Sequence, residues 1–274
     1  MKSRSRTLKN IKRQRGKYPV LAENIVQMSD IILEVLDLRF AGETRNPEIE
    51  EMIEKQKKKI IYVFNKADLI DKNKVDREYV SSLTPGVFVS CVNREGIKEL
   101  RDKIKIIAGR IGNPVDKLLG KITVGVIGYP NTGKSSVINL LAGKSAMGVS
   151  SVSGFTKGIQ KVGLTEKVIL LDSPGIIPSK EYSSSNIQLM SGHAKVGARS
   201  YSQVKEPEVA VFDLVKEFPL IFDKFYKISS GGNAELLIEK LGRKKSFLKK
   251  GNEVDEDRTA RLILKDWQEG RIRR

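Results

Sequence analysis

One nine-residue stretch, GYPNTGKSS at 128–136, constrains the fold of this chain more than any other feature. It follows an apolar run at 122–127 that predicts a strand, and it precedes residues 137–142, which predict a helix. A loop of the form GxxxxGK[ST] between a strand and a helix is typical of phosphate binding, because backbone N–H groups at the helix N-terminus hold the anion. A chance match in a Gly-rich turn is the alternative, and the strand–loop–helix context disfavours it.

Side chains in this loop carry separate parts of the expected chemistry. We expect Lys134 to reach the outer phosphates and Ser135 to offer its hydroxyl to Mg²⁺. The glycines let the loop wrap a phosphate without Cβ clashes. The predicted nucleotide-binding residues of the loop are Gly128, Tyr129, Pro130, Asn131, Thr132, Gly133, Lys134, Ser135 and Ser136.

A second motif, the NKxD pattern formed by Asn65, Lys66 and Asp68, comes directly after an apolar strand at 60–64. A carboxylate at Asp68 can accept hydrogen bonds from N1–H and from the exocyclic amine of guanine, whereas adenine presents the wrong groups at both positions. Asn65 would reach the other edge of the base, and the stem of Lys66 would pack over the ring. The alternative is that Asp68 caps a helix. In a chain that also has a phosphate loop, the motif favours guanine binding.

Ser90 and Cys91 follow the short predicted strand at 87–89. They fit the loop whose backbone supports the base, and we include both in the nucleotide-binding set. Cys91 stands where alanine is usual in GTPases. It also fits a small buried residue, and the two interpretations are compatible, so the sequence does not predict a reactive thiol.

Three downstream residues complete the predicted site. Asp172 ends a predicted strand, where it can hold Mg²⁺ through a water, and the N–H of Gly175 can meet the γ-phosphate. A Pro-Gly turn with an Asx bond is the alternative for this segment. Thr156 lies between the phosphate loop and Asp172 and is the candidate threonine that completes the Mg²⁺ shell. Lys134, Thr156 and Gly175 are the residues to which we assign catalysis.

The order of these motifs is their most specific property. In ordinary GTPases the phosphate loop comes first and NKxD comes last, whereas here NKxD at 65–68 precedes the loop at 128–136. The same motifs in a rotated chain order indicate a circular permutation, in which the sheet and the site are kept and the termini lie at a different point of the fold. The segment after Asp172 then leads directly into the C-terminal part, so nucleotide state can act on that part.

These motifs in this order resemble the circularly permuted ribosome-assembly GTPases of the YlqF/RbgA type, over most of residues 25–274. The resemblance also includes the Asp37-Leu38-Arg39 stretch. It implies an α/β fold in which a circularly permuted P-loop GTPase domain, with a mostly parallel six-stranded sheet between helices, is followed by a C-terminal all-α domain. It further implies that the chain binds GTP or GDP and couples GTP hydrolysis to maturation of the large ribosomal subunit, with the helical domain contacting rRNA.

Three positions bear on the expected hydrolysis. Ile176 stands where many GTPases keep a glutamine that orients water, so the intrinsic rate should be slow. Asn131 matches an asparagine that in related enzymes supports a K⁺ ion near the phosphates, where the ion can supply positive charge. Bacterial members carry an N-terminal histidine proposed for catalysis, but this chain has no histidine before His193, which lies in a stretch expected to be mobile. We therefore expect stimulation by the ribosomal particle and by K⁺.

Composition and charge indicate the partners, the cellular compartment and the domain organisation. The 274 residues carry a net charge of +17, and residues 1–20 hold eight bases and no acid. Such a tail usually binds phosphate backbone; a tail that only aids solubility and a transit peptide are the alternatives.

No apolar run is long enough to span a membrane, and a single cysteine fits a reducing compartment. We expect a cytoplasmic monomer with a basic tail at 1–19, a GTPase domain at 20–180, a mobile connection at 181–205 and a helical RNA-binding domain at 206–274.

Two other functions remain open from the sequence. The first is a GTPase that acts on another RNA client, such as tRNA or a small-subunit particle. The second is an RNA-binding scaffold that binds GTP but turns it over negligibly. Lys134, Ser135 and Asp172 argue against the scaffold, while Ile176 leaves it open.

Overall fold

The structure is a computed structural model, and it describes residues 18–112, 114, 120–143, 160–173, 175 and 187–273. These residues form two compact units. The first contains the sheet and runs to Asp68 and again from Lys72 onwards; the second contains Leu69–Asp71 and the helices that begin at Ile187. Among the described residues, no helix is long and apolar enough to cross a membrane.

The first unit alternates strands with helices. Its elements are α1 (Tyr18–Met28), β1 (Ile31–Asp37), α2 (Pro47–Lys55), β2 (Lys59–Asn65), α3 (Arg77–Ser82), β3 (Gly86–Phe88), α4 (Ile97–Ala108), β4 (Ile122–Ile127), α5 (Lys134–Ala142), β5 (Gln160–Thr165) and β6 (Val168–Asp172). The strands form one sheet in the order β3-β2-β1-β4-β6-β5. All neighbours pair in parallel except β5 with β6, which confirms the predicted six-stranded, mostly parallel sheet.

Helices cover both faces of this sheet because the central strands are apolar on both sides. All seven residues of β1 are buried, as the near-continuous apolar runs of parallel strands require. Leu33 and Val35 face a core shared with α4 and α5, whereas Ile32 faces a second core shared with α1 and α2. This alternation follows from the two-residue period of a strand.

Most local predictions agree with the structure to within a few residues. Asn46 caps α2, since its side chain accepts from the N–H of Ile49, and Pro47 occupies the first turn. Helix α3 begins at Arg77 because the side chain of Asp76 caps it by accepting from the N–H of Tyr79.

The second unit is helical. Its helices are α6 (Ile187–Lys195), α7 (Pro207–Glu217), α8 (Pro219–Tyr226), α9 (Ala234–Lys244) and α10 (Glu256–Gln268). Trp267 is fully buried at its centre, 5.3 Å from the ring of Phe218 and 5.7 Å from that of Phe222. Asp255 caps α10, because its side chain accepts from the N–H of Arg258.

The structure differs from the sequence prediction within 181–205, which was expected to be a mobile connection. Residues 187–195 form α6, and Ser191 and His193 are each only 5% exposed. The hydroxyl of Ser191 donates to Asp213 on α7 at 2.5 Å. Small residues allow this close helix packing. Because the segment is rich in Ser and Gly, the spacing of apolar residues does not predict the helix. His193 therefore lies in a buried helix and not in a mobile stretch.

Candidate nucleotide-binding site

The candidate site lies where the parallel strands end. Asp37 at the end of β1 pairs in register with Asn65 at the end of β2, and Asp172 ends β6 opposite Val126 of β4. The phosphate loop follows β4 directly. In open parallel sheets ligands bind outside the carboxyl ends of the strands, so the topology brings the predicted motifs to one edge. Ile176 and the predicted Thr156 lie outside the described residues.

Two glycines of the loop occupy places where no side chain fits. Gly128 has a φ of 145°, and a Cβ there would lie 2.3 Å from the carbonyl oxygen of Val35. Gly133 has a φ of 96°, and a Cβ there would lie 2.2 Å from Nδ2 of Asn65. Both positions thus need glycine for conformation and for space. The loop wraps tightly between β4 and the first turn of α5.

Lys134 opens α5 and is held inside the loop. It is 6% exposed, and its Nζ donates to the carbonyl oxygen of Tyr129 at 2.8 Å. The hydroxyl of Thr132 donates to the same oxygen at 3.0 Å. Burial lowers the pKa of Lys134 to about 8. A desolvated ammonium beside a helix N-terminus is arranged to bind an anion, because bound negative charge would restore the interactions that burial removed.

A hydrogen bond joins the two halves of the predicted site. Nδ2 of Asn65, in the NKxD motif, donates to the carbonyl oxygen of Thr132 in the phosphate loop at 2.7 Å. Both residues are buried, and they are 67 positions apart in the chain. Asn65 therefore fixes the distance between the expected base-reading segment and the phosphate loop.

The carboxylate of Asp68 is positioned by the segment predicted to support the base. The hydroxyl of Ser90 donates to Oδ1 of Asp68 at 2.6 Å, and the N–H of Ala67 donates to the carbonyl oxygen of Val89 at 3.1 Å. These contacts leave Asp68 part-exposed at the strand edge. Cys91 is half-buried, and burial raises the pKa of its thiol to about 11, in keeping with an unreactive side chain.

Asp172 and Ser135, two of the residues predicted to hold Mg²⁺, are in contact. The hydroxyl of Ser135 donates to Oδ2 of Asp172 at 3.3 Å. Among the described residues, Oδ1 of Asp172 is buried without a hydrogen-bond partner, and burial raises the pKa of this carboxyl group. A buried carboxylate oxygen without a donor suits a bound cation, so these residues fit Mg²⁺. Gly175 lies close to the loop: a Cβ there would be 2.6 Å from Cα of Pro130.

A buried ion cluster of Asp37, Arg39 and Lys66 supports the NKxD motif, and the sequence analysis assigned Asp37 and Arg39 no role in the site. Asp37 is fully buried and accepts from Nε and Nη2 of Arg39 at 3.0 and 2.8 Å. Nζ of Lys66 lies 2.8 Å from Oδ2 of Asp37. Lys66 has a positive φ of 61°, which is uncommon for a residue other than glycine. The ion pair with Asp37 fixes the direction of its side chain from this backbone conformation. The available signal was an aspartate at the end of a buried strand with an arginine two residues later.

Replacing Asp37 with asparagine is expected to lower the free energy of unfolding at pH 7 by about 3 kcal/mol, since buried cations would lose their carboxylate. Burial alone would raise the pKa of Asp37, but Arg39 and Lys66 outweigh it and lower the pKa from 3.8 to about 2. The stabilisation is therefore complete above pH 3.8 and lost as pH falls through 2, so wild type and variant should converge in acid. Urea unfolding followed by circular dichroism at several pH values measures this difference.

The matched control for that experiment is Asp102→Asn, an exposed carboxylate on α4. It should change the unfolding free energy by less than about 0.5 kcal/mol. A gap between wild type and Asp37→Asn that stays constant from pH 7 to pH 2 would contradict the assigned ion pairs.

The chain is similar to known GTPases and GTP-binding proteins. The family model for the 50S ribosome-binding GTPase matches residues 123–216. An uncharacterized GTP-binding protein of Methanocaldococcus jannaschii is 37% identical over 262 residues, which are 93% of this chain and 66% of that protein. Nucleolar GTP-binding protein 2 of Saccharomyces cerevisiae is 34% identical over 260 residues, 90% of this chain and 50% of that protein. The chain thus spans about half to two thirds of the length of these relatives.

Solved structures share the fold. The GNP-bound structure of YlqF from T. maritima superposes with a TM-score of 0.65 at 24% identity, over 94% of this chain and 95% of that one. The GDP-bound structure of YlqF gives a TM-score of 0.62 at 23% identity, over 92% and 95% of the two chains. The predicted circularly permuted fold is confirmed by these superpositions together with the sheet order.

Proposed function

Because this chain belongs to the family of circularly permuted GTPases of the YlqF type, we propose that it binds GTP, hydrolyses it to GDP and phosphate, and acts in maturation of the large ribosomal subunit. The observation that carries the proposal is the hydrogen bond from Asn65 to the carbonyl oxygen of Thr132. It connects an NKxD segment to a phosphate loop that follows it in the chain. The permuted order therefore forms one continuous site for a base and its phosphates.

In this proposal each part of the site has one task. Asp68 accepts from the guanine edge, while the stem of Lys66 packs over the ring and is directed by Asp37. Lys134 and the backbone of the loop hold the phosphates, and the N–H of Gly175 contacts the γ-phosphate. Ser135, Asp172 and Thr156 would hold Mg²⁺, which when bound neutralises charge on the phosphate oxygens. The remaining residues of the nucleotide-binding set line the loop and the base-supporting segment.

The rate of hydrolysis belongs to the same proposal. With Ile176 in place of a water-orienting glutamine, the isolated chain should hydrolyse GTP slowly. Asn131 is exposed in the loop with a φ of 61°, and the resemblance assigns to it the support of K⁺. We propose that this ion and the ribosomal particle supply the positive charge and orientation that the chain itself lacks.

Positive charge supports an RNA partner. The chain has a net charge of +17, and residues 1–20 hold eight bases without an acid. We propose that the tail at 1–19 and the helical domain at 206–274 contact rRNA of the large-subunit precursor, and that the chain acts as a monomer. The nucleolar name of the yeast relative describes where that protein acts. For this chain we retain a cytoplasmic location as the proposal.

A co-sedimentation experiment tests this function. The full chain is layered with ribosomal subunits and their precursors in the presence of GDP or of a non-hydrolysable GTP analogue. We expect retention on large-subunit precursors with the analogue and release with GDP, because ordered switch segments complete the docking surface. Retention on a small-subunit particle or on tRNA would favour another RNA client. Retention that does not depend on the nucleotide, with no measurable GTP turnover, would favour the scaffold.

A further inference from the structure

The helical unit contains a cavity of about 340 Å³ that the nucleotide site does not use. This volume lies in the lower part of the range for small-ligand sites. Leu241 and Leu262 supply apolar lining. The aromatic and charged residues around it are Phe225, Tyr226, Lys244, Lys245, Asp266 and Arg271.

Phe225 and Tyr226 give this cavity an aromatic wall. Their rings meet edge to face with centroids 4.8 Å apart. The hydroxyl of Tyr226 donates to Oδ2 of Asp266 at 3.0 Å, which holds the Tyr226 ring in place. Burial raises the pKa of this hydroxyl, so it stays a neutral donor. Phe225 is 40% exposed, which leaves ring surface free for stacking.

The charges around the cavity are mostly positive. Nζ of Lys244 donates to the carbonyl oxygen of Tyr226 at 2.8 Å, and Lys245 is exposed beside it. Among the described residues, no carboxylate lies within ion-pair distance of Lys244 or Lys245. Arg271 pairs with Oδ1 of Asp266 at 3.0 Å and still has a 56% exposed side chain. Beyond the cavity, the basic run continues along 243–250, which contains five bases and no acid.

We propose that this cavity binds one unpaired nucleotide of a single-stranded RNA segment, with the base against Phe225 and the flanking phosphates along Lys244 and Lys245. An aromatic face suits a base of any sequence, and a basic edge suits the phosphates on either side of it. Asp266 can accept from an exocyclic amine of the base, because each of its oxygens has a further lone pair. This inference rests on the RNA partner of the proposed function and assigns a contact within it.

The first test measures binding of the full chain to a short fluorescent single-stranded RNA by anisotropy. Phe225→Ala is expected to weaken the Kd about 10-fold, since it removes one base–aromatic stack. Phe225→Leu keeps apolar bulk and should bind equally weakly, whereas Phe225→Trp should bind like wild type. Phe212→Ala, at an aromatic residue on α7 that is 52% exposed, is the matched control and should leave the Kd unchanged. Circular dichroism and GDP binding check that each variant is folded.

The second test separates base contact from phosphate contact. On an RNA whose central nucleotides are abasic, Phe225→Ala should cause no further loss, because the stacking partner is already absent. Lys245→Ala should reduce the slope of log Kd against log salt by about 0.7, whereas Lys216→Ala on α7 should not. Adenosine monophosphate at the RNA concentration should not compete, since it lacks the flanking phosphates.

Each alternative outcome overturns a definite statement. If Phe225→Ala binds RNA as tightly as Phe212→Ala, the cavity is not a base site. The same conclusion follows if Phe225→Ala weakens binding to the abasic RNA as much as to the intact one. If adenosine monophosphate competes effectively with the RNA, the cavity binds a free mononucleotide and not an RNA segment. If the wild-type chain binds no RNA, the RNA partner of the proposed function fails together with this inference.

Discussion

Replacing Asp68 with asparagine is expected to change the preferred base from guanine to xanthine. Asp68 is held by the hydroxyl of Ser90 at 2.6 Å, so its carboxylate points in a set direction at the strand edge. Asparagine has the same shape but presents an N–H₂ group, which cannot accept from the exocyclic amine of guanine and can donate to the 2-oxo group of xanthine. The bond from the exocyclic amine is lost and the bond from N1–H is no longer charge-assisted, so the affinity for GDP should fall about 1000-fold.

Titration with fluorescent GDP and XDP measures this change. The variant should bind XDP more tightly than GDP, while the wild type shows the opposite order. Asp102→Asn, an exposed carboxylate on α4, is the matched control and should keep the wild-type order. A variant at Asp68 that still prefers GDP would remove this residue from the base site.

Lys134→Met should weaken GTP binding about 100-fold and reduce GTP hydrolysis to background. Lys134 is only 6% exposed. Within the part of the chain that the structure describes, its ammonium donates one hydrogen bond, to the carbonyl oxygen of Tyr129 at 2.8 Å. Removing it deprives the phosphates of a charge-assisted partner worth about 3 kcal/mol. Methionine keeps the apolar stem, so the nucleotide-free protein should be as stable as wild type or more stable, because a buried charge is gone.

The two effects can be measured on one sample. Thermal unfolding without nucleotide should give an unchanged or higher Tm, while the increase in Tm that GDP causes in wild type should be lost. Lys98→Met removes an exposed lysine on α4 and should leave both quantities unchanged. If Lys134→Met retains the stabilisation by GDP, then Lys134 does not contact the phosphates.

Much of the site could be predicted from sequence because its motifs depend on local geometry. A strand, a glycine loop and a helix follow one another at 122–142, and each local pattern predicts the next. The cap at Asp255 was predictable for the same reason. Helix α6 was not, because the buried residues described in it, Ser191, His193 and Ala194, are small or polar and do not mark a buried helix face.

The sequence by itself determined which segments carry the chemistry and in what order, since spacing and residue type are enough to define a phosphate loop and an NKxD motif. Only the tertiary structure decided how these segments are joined. Because β1 lies between β2 and β4, the ends of three strands meet. Asn65 can then bond Thr132, and Asp37 can bind Lys66. Such partners are set by strand order and register, which bring distant residues together without a local sequence pattern.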